Sequence, residues 1–283
     1  MPTEINPAVS VCIPCYRGAA HLAAAIESVL TQTFTDLELI IIDDNSPDNT
    51  DEVVASFADP RIRYLKNQTN LGPDGNWNRC LDEATGRYFK LLPQDDVLDP
   101  TCLAKQVAVL KADVDHRVAL VFCSRTILDA RDRAIMVRGY PMRRSGLVPA
   151  RALVRQCVRR GTNVIGEPGS VMFRRQLVAS AGRFDASIPY VLDLDYWVKL
   201  LGHGDAYYLN EALASFRVSG GSWSVRIGAR QSQEYQLFIS KLSANPTFTT
   251  TRFDILAGKA MSKVNALLRA VLYRFLAMEA RKT

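Results

Sequence analysis

The chain has 283 residues, of which 48% are hydrophobic and 23% charged, with a net charge of +6. This is globular composition, sufficient for one large α/β domain with an added helical segment, and it excludes the disordered, fibrous and low-complexity classes. Met1–Pro7 lacks the basic and apolar regions of a secretory signal and no apolar run reaches the roughly 18 residues needed to span a bilayer, so a cytoplasmic protein is expected.

Ala8–Ile13 reads as a buried strand, after which Leu22, Ile26, Val29 and Leu30 recur on one face of a helix over Ala19–Gln32. The alternation continues with a strand over Leu37–Ile42 and a helix over Asp51–Phe57, then a strand over Ile62–Leu65 and a helix over Asn76–Ala84. Strands over Tyr88–Leu92 and Val118–Cys123 flank a helix over Thr101–Ala112. This spacing predicts a doubly wound, mostly parallel sheet with right-handed crossovers. Further on, Asp129–Gly146 reads as a hairpin or a mobile loop, Pro149–Arg160 as a helix and Ser170–Phe173 as a strand. A helix over Val191–Leu201, a strand pair over Tyr207–Val218 and two terminal helices complete the chain.

Two acidic pairs, Asp43-Asp44 and Asp95-Asp96, close apolar strand runs. Ligands of open α/β sheets bind at the carboxyl ends of the strands, so these carboxylates should converge on one crevice. Helix capping is the bland alternative. It is weakened by Asp99-Pro100, which can open the helix from Thr101, and by Asn49 with Glu52, which can open the helix over Asp51–Phe57.

The pairs belong to a larger set of motifs: V-S-V-C-I-P-C-Y-R-G from Val9, E-S-V-L-T-Q-T-F from Glu27 and I-I-I-D-D-N-S-P-D-N-T from Ile40. N-L-G-P-D-G-N-W-N from Asn70, Gln94-Asp95-Asp96, G-R-F-D from Gly182 and L-D-L-D-Y-W-V-K-L from Leu192 follow. Together they resemble the family 2 glycosyltransferases of the GT-A fold, over roughly Val9 to Trp223. The resemblance implies a GT-A domain over residues 8–225, with a nucleotide-sugar half at 8–125 and an acceptor half at 126–225, and a helical segment at 226–283.

The resemblance also implies inverting transfer of a sugar from a nucleotide diphosphate donor, in cell-surface polysaccharide or glycolipid assembly, by a hexosyltransferase using Mg²⁺ or Mn²⁺. Asp44 would then meet the nucleobase, with Pro14, Tyr16 and Arg17 beside it, Asn76 and Asn78 as polar contacts, Asp95 on the ribose and Asp96 on the metal. Asp193 is the expected general base and Asp195 its rival; two residues apart on a helix, they cannot face the same way. Asp43 is left to the loop.

Several positions depart from the family pattern. Pro93 stands where an aspartate is common, Leu192 where the base has a glutamate neighbour, Ser219 where many relatives carry a histidine, and Trp77 where some carry an arginine. Arg17, or one of the nine arginines from Arg131 to Arg160, could supply the missing positive charge. The departures keep open a donor-binding subunit without catalysis; a sugar-nucleotide pyrophosphorylase is disfavoured because Pro14-Cys15-Tyr16-Arg17 is no glycine-rich phosphate loop.

Other signals are weaker. Cys12-Ile13-Pro14-Cys15 has redox spacing, but the six cysteines are irregularly placed and read as reduced core thiols. G-x-G-x-x-G after the first strand and the P-loop pattern are both lacking, and His21, His116 and His203 show no metal spacing. In the last helix, Met261, Val264, Leu268, Val271 and Phe275, widened by Leu267, Leu272 and Leu276, form an apolar stripe. Packing against the domain is the first expectation. Its basic flanks also suit an anionic membrane surface and a peripheral position at the inner face of the cell membrane. The expected partners are a nucleotide sugar and a carbohydrate or lipid-linked acceptor, with no nucleic acid.

Overall fold

The computed structural model describes residues 6–218 and 228–281. Ser219 and Trp223 therefore lie outside the described residues, as do the side chains of Phe275 and Leu276. The first units are β1 (Val9–Cys15), α1 (Ala19–Leu30), β2 (Leu37–Asp43), α2 (Thr50–Ala55), β3 (Ile62–Lys66), α3 (Gly72–Glu83) and β4 (Tyr88–Leu91). β1 and β4 are buried along their whole length, as strands covered on both faces must be. The one hydroxyl in β1, on Ser10, donates to Glu38 Oε1 at 2.6 Å, so its burial leaves no unmet polar group.

β5 (Val97–Leu98), α4 (Cys102–Ala112), β6 (Val118–Leu128), β7 (Ala134–Arg138), β8 (Gly146–Val148), α5 (Ala150–Arg160), β9 (Val171–Arg174), α6 (Val178–Ala181), α7 (Leu192–Leu201) and β10 (Asp205–Arg217) follow. The sheet runs β3-β2-β1-β4-β9-β6-β10-β5, with β7 added to β6 and β8 to β10. β1, β2, β3 and β4 are parallel, as are β6 and β10. One core layer holds Leu22, Ile26 and Val29 of α1 with Leu103 and Val107 of α4; the layer on the other face holds Cys80 of α3, Leu153 of α5 and Trp197 of α7.

The sheet is mostly parallel, as expected, with β9 entering antiparallel between β4 and β6; two other expectations change. Arg174 fixes β9 there: its buried guanidinium donates to Leu110 O, Val118 O and Asp113. The strand pair over 207–218 is one strand, β10, whose register with β6 shifts between Leu209 and Ala214. Exposed Asn210, Glu211 and Ala212 imitate a turn in sequence but occupy this irregularity. Asn49 makes no side-chain cap bond to α2; Asp48 accepts from Thr50 Oγ1 instead. The Arg-rich segment resolves as a β6–β7 hairpin whose turn is held by Asp129, which accepts from the backbone N–H groups of Arg131 and Arg133.

The terminal helices α8 (Gln231–Ser243) and α9 (Arg252–Arg281) pack together, and α9 also crosses α5. The expected apolar stripe does not make these contacts: Met261, Val264, Leu268 and Val271 are exposed. The inner face consists instead of Asp254, Gly258 and Ser262. Small residues allow the two backbones to approach, so that a Cβ on Gly258 would lie 2.1 Å from Val158 O. Asn265 Nδ2 donates to Arg160 O and Gly161 O, satisfying carbonyls that the end of α5 leaves open. Gly258→Val should lower unfolding free energy by about 1–3 kcal/mol through overpacking, whereas Leu267→Ser on the outer face should change it by less than about 0.5 kcal/mol. Urea denaturation of the two variants checks this; equal effects would contradict the close helix crossing.

Candidate functional site

The carboxyl ends of β1, β2 and β4 open onto a cleft of about 480 Å³ whose far wall comes from the 162–168 loop, the start of α7, α8 and α9. Pro14, near the end of β1, and Tyr16, just after it, line the cleft. Tyr16 is clasped to the loop after β4 by two bonds: its N–H donates to Gln94 Oε1 at 2.8 Å, and Gln94 Nε2 donates to Tyr16 O at 3.0 Å. Gly18 makes room for this clasp, since a Cβ there would lie 2.0 Å from Gln94 Oε1. Arg17 is outside the lining; held at φ 53°, it donates its N–H to Ser46 Oγ and lies over the Tyr16 ring.

The aspartates of the first pair have separate structural duties. Asp43 is fully buried and closes the loop through Ser46 N, with Tyr64 and Lys66 on its other oxygen. Asp44 lines the cleft, yet its carboxylate accepts from Asn67 Nδ2 at 2.6 Å, Leu71 N at 2.8 Å and Gly72 N at 3.0 Å. It therefore does cap a helix, but α3 rather than the one that follows it, placing a negative charge at an N-terminus. Asn76 also lines the cleft and donates to Ile42 O. Asn78 does not reach the cleft: it exchanges two hydrogen bonds with the backbone of Phe184.

In the second pair, Asp95 lines the cleft and Asp96 lies behind it, 1% exposed. Asp96 Oδ1 accepts from Arg217 N at 3.0 Å, while Oδ2 is buried without a hydrogen-bond partner. Burial, then the neighbouring charge of Asp95, pushes Asp96 well above the usual carboxylate range. Asp99 acts just before α4, accepting from Thr101 N and Thr101 Oγ1.

The two candidate bases are clearly separated. Asp193, in the first turn of α7, lines the cleft; Asp195 is buried away from it, with Lys199 and Lys241 at 3.0 and 2.9 Å. Asn163 Nδ2 donates to Asp193 Oδ2 at 2.9 Å, and Asn163 Oδ1 accepts from Ile165 N and Gly166 N. The Trp197 indole N–H donates to Gly166 O, tying the same loop to α7. Burial, followed by the charge of Glu167, pushes Asp193 up to about 7. Glu167 itself is pulled up by burial but held below its ordinary value by Arg125 and Arg138. An acidic neighbour missing at Leu192 is thus supplied from another loop.

Sequence reasoning missed Asn163 and Glu167, and did not single out Arg138, Tyr190, Arg269 or Tyr273, all of which line the cleft. Only the run of arginines pointed toward any of them. The redox reading of Cys12 and Cys15 fails on geometry: three apart on a strand, they point to opposite core layers, and burial raises both thiols well above their usual range.

The raised value of Asp193 has a consequence for stability. An unfolded aspartate ionises near 3.9, so between about pH 4 and 7 the unfolded chain loses a proton that the native state retains, and native stability falls as pH rises across that window. Asp193→Asn lacks this penalty. It should be more stable than the native protein at pH 8, by up to about 4 kcal/mol, with the advantage gone near pH 4. Urea titrations at several pH values read this directly; a pH-independent difference would contradict it.

The family model of Glycosyl transferase family 2 matches residues 10–178. An uncharacterized protein of Mycobacterium tuberculosis is 31% identical over 237 residues, covering 80% of this chain and 73% of that protein. The UDP-Glc:alpha-D-GlcNAc-diphosphoundecaprenol beta-1,3-glucosyltransferase of Escherichia coli is 37% identical over 102 residues, 36% of this chain and 40% of that one. A mannosyltransferase from Pyrobaculum calidifontis, solved with GDP-Man and Mn²⁺, superposes with a TM-score of 0.62 at 18% identity, covering 94% of this chain and 70% of that chain. The shared architecture is the GT-A fold. With a family match across more than half its length, the chain belongs to glycosyl transferase family 2 and is a glycosyltransferase.

Proposed function

We propose that the protein transfers a hexose from a nucleotide diphosphate donor to a hydroxyl of a lipid-linked carbohydrate, with inversion, in surface polysaccharide or glycolipid assembly. The observation that carries the reading is Asp193: a cleft carboxylate oriented by Asn163, with a value near 7 suited to taking a proton at neutral pH. Inversion follows from one carboxylate deprotonating the acceptor hydroxyl as it attacks the anomeric carbon opposite the leaving diphosphate. Asp195 has no such role, because its two lysines hold it away from the cleft.

The donor belongs against Pro14, Tyr16, Asp44, Asn76 and Asp95, in the half formed by residues 8–125. With three N–H donors already on its carboxylate, Asp44 meets a base imide only by sharing its remaining lone pair. The acceptor half is 126–225, with residues of the 226–283 segment completing its wall. Asp95 and Asp96 fit a divalent cation, since Asp96 Oδ2 is a buried oxygen without a partner beside a cleft-facing carboxylate. Among the described residues no group of three or more His, Cys, Asp or Glu side chains could hold a metal, so diphosphate oxygens and water would complete the shell, as Mg²⁺ binding commonly requires. A divalent cation held by Asp95 and Asp96 would supply neutralisation of the charge on the departing diphosphate. Asp193→Asn should lower kcat by about 10² to 10⁴ while leaving donor Kd unchanged, and native kcat should rise with pH through about 7. Assays of nucleotide-sugar turnover with Mn²⁺ test both; full activity in Asp193→Asn would reject this base.

The outer face of α9 supports a peripheral membrane position. Phe253, Leu256, Leu267, Leu268 and Val271 are each at least 60% exposed. At 100° per residue, Arg252, Lys259, Lys263 and Arg274 follow one edge of that face, which matches an anionic bilayer. No helix among the described residues is long and apolar enough to cross a membrane, so α9 would lie in the surface. Co-sedimentation with vesicles containing phosphatidylglycerol should capture the native protein, and a Leu267→Ser, Leu268→Ser double variant should bind at least tenfold less. Failure to bind, or a dimer abolished by the same double variant, would assign the face elsewhere.

A further inference from the structure

The wall of the cleft around Asp193 carries two guanidinium groups that no carboxylate of the cleft binds directly. Arg138, at the end of β7, and Arg269, on the inner face of α9, both line it. Among the described residues the Arg138 side chain makes no hydrogen bond or ion pair; its backbone pairs with Arg125 in the β6–β7 ladder. Arg269 donates from Nε to Gln231 Oε1 at 2.7 Å and lies over the Tyr190 ring, 5.4 Å from its centroid, which leaves both terminal nitrogens open. The nearby carboxylate, Glu167, is taken by Arg125 at 2.5 Å. A partly buried guanidinium without a direct ion-pair partner is costly, and Arg138 registers that cost: burial, with the repulsion of Arg125 and Arg269, lowers its value although Glu167 attracts it.

We propose that Arg138 and Arg269 form the subsite for a diphosphate that joins the acceptor's sugar to its lipid, the linkage in the diphosphoundecaprenol acceptor for which the Escherichia coli relative is named. Two planar forks suit two phosphoryl groups, each able to accept a pair of parallel hydrogen bonds. The donor also carries a diphosphate, but its expected seat has different electrostatic neighbours. Asp95 feels His21 and Arg217, whereas Arg138 feels Glu167, Arg125 and Arg269. Arg269 also stands on the helix whose opposite face carries the exposed apolar stripe. A molecule with its tail in a bilayer beneath that stripe and its sugar at Asp193 must pass its linking diphosphate close to this helix.

This inference rests on the proposed transfer to a lipid-linked acceptor, and the test separates the two. Isothermal titration of the full chain with decyl diphosphate, below its micellar concentration, should show binding that decyl glucoside lacks. Arg138→Gln and Arg269→Gln should each weaken decyl diphosphate at least tenfold, with Arg138→Lys recovering part of the loss, while Kd for UDP and GDP in Mn²⁺ stays unchanged. Variants that bind decyl diphosphate as tightly as the native chain would overturn the subsite. Variants that lose nucleotide affinity instead would overturn it by assigning the arginines to the donor. Arginine-dependent diphosphate binding without turnover of any nucleotide sugar would sustain the subsite and sink the transfer reading.

Discussion

The relation between the two sides of the cleft, the β1–β4 side and the α7 side, depends on the carboxylate of Asp44. By accepting three N–H bonds it ties the end of β2 to the loop before α3 and fixes where that helix begins. α3 then carries Asn78 and Trp77 to Phe184, the first by paired backbone bonds and the second edge-on at 5.2 Å. Phe184 in turn stacks on Tyr196 of α7 at 3.9 Å. The path runs from Asp44 to the helix bearing Asp193 through packed, hydrogen-bonded groups. Asn78 matters for the site without touching it.

A second constraint is electrostatic. Burying carboxylates near one another raises the cost of ionising each, and the cleft contains two such places: Asp95 with Asp96, and Asp193 with Glu167. They are resolved differently. Glu167 is ionised by its arginines, which leaves Asp193 as the group whose proton is exchangeable near neutrality. Asp96 has one oxygen on the Arg217 N–H and the other without a partner, an arrangement that a cation would complete. On the proposed reading, one pair moves a proton and the other holds positive charge.

The parallel strands were legible because covered strands are continuous apolar runs, and the acidic pairs because they interrupt those runs at their ends. Asp193 could be distinguished from Asp195 only as far as helical geometry allows; which one faces the cleft depends on Lys199 and Lys241, and Lys241 lies 46 residues from Asp195 along the chain. Asn163 and Glu167 sit on a loop between α5 and β9 with no periodicity to mark them. β9 itself was found as a strand but its antiparallel insertion was not, since direction is set by the long-range anchoring of Arg174. Asn210 and Glu211 misled for a related reason: a register shift and a turn both expose a short polar run.

The terminal helix shows why apolar periodicity does not specify what it faces. Its stripe was read as the packing face, yet packing favours close backbone approach where hydrogen bonds and small residues allow it. Gly258 and Ser262, with Asp254 paired to Arg155 and Asn265 on the open carbonyls of α5, supply such a face. The large side chains are thereby turned outward, at a cost in exposed apolar area that a helix in water gains nothing from. With Arg269 and Tyr273 on the inner side lining the cleft, the same helix is both a wall of the site and its most apolar outer surface. A bilayer under the outer face would cover that area and bring a lipid-borne acceptor within reach of Asp193.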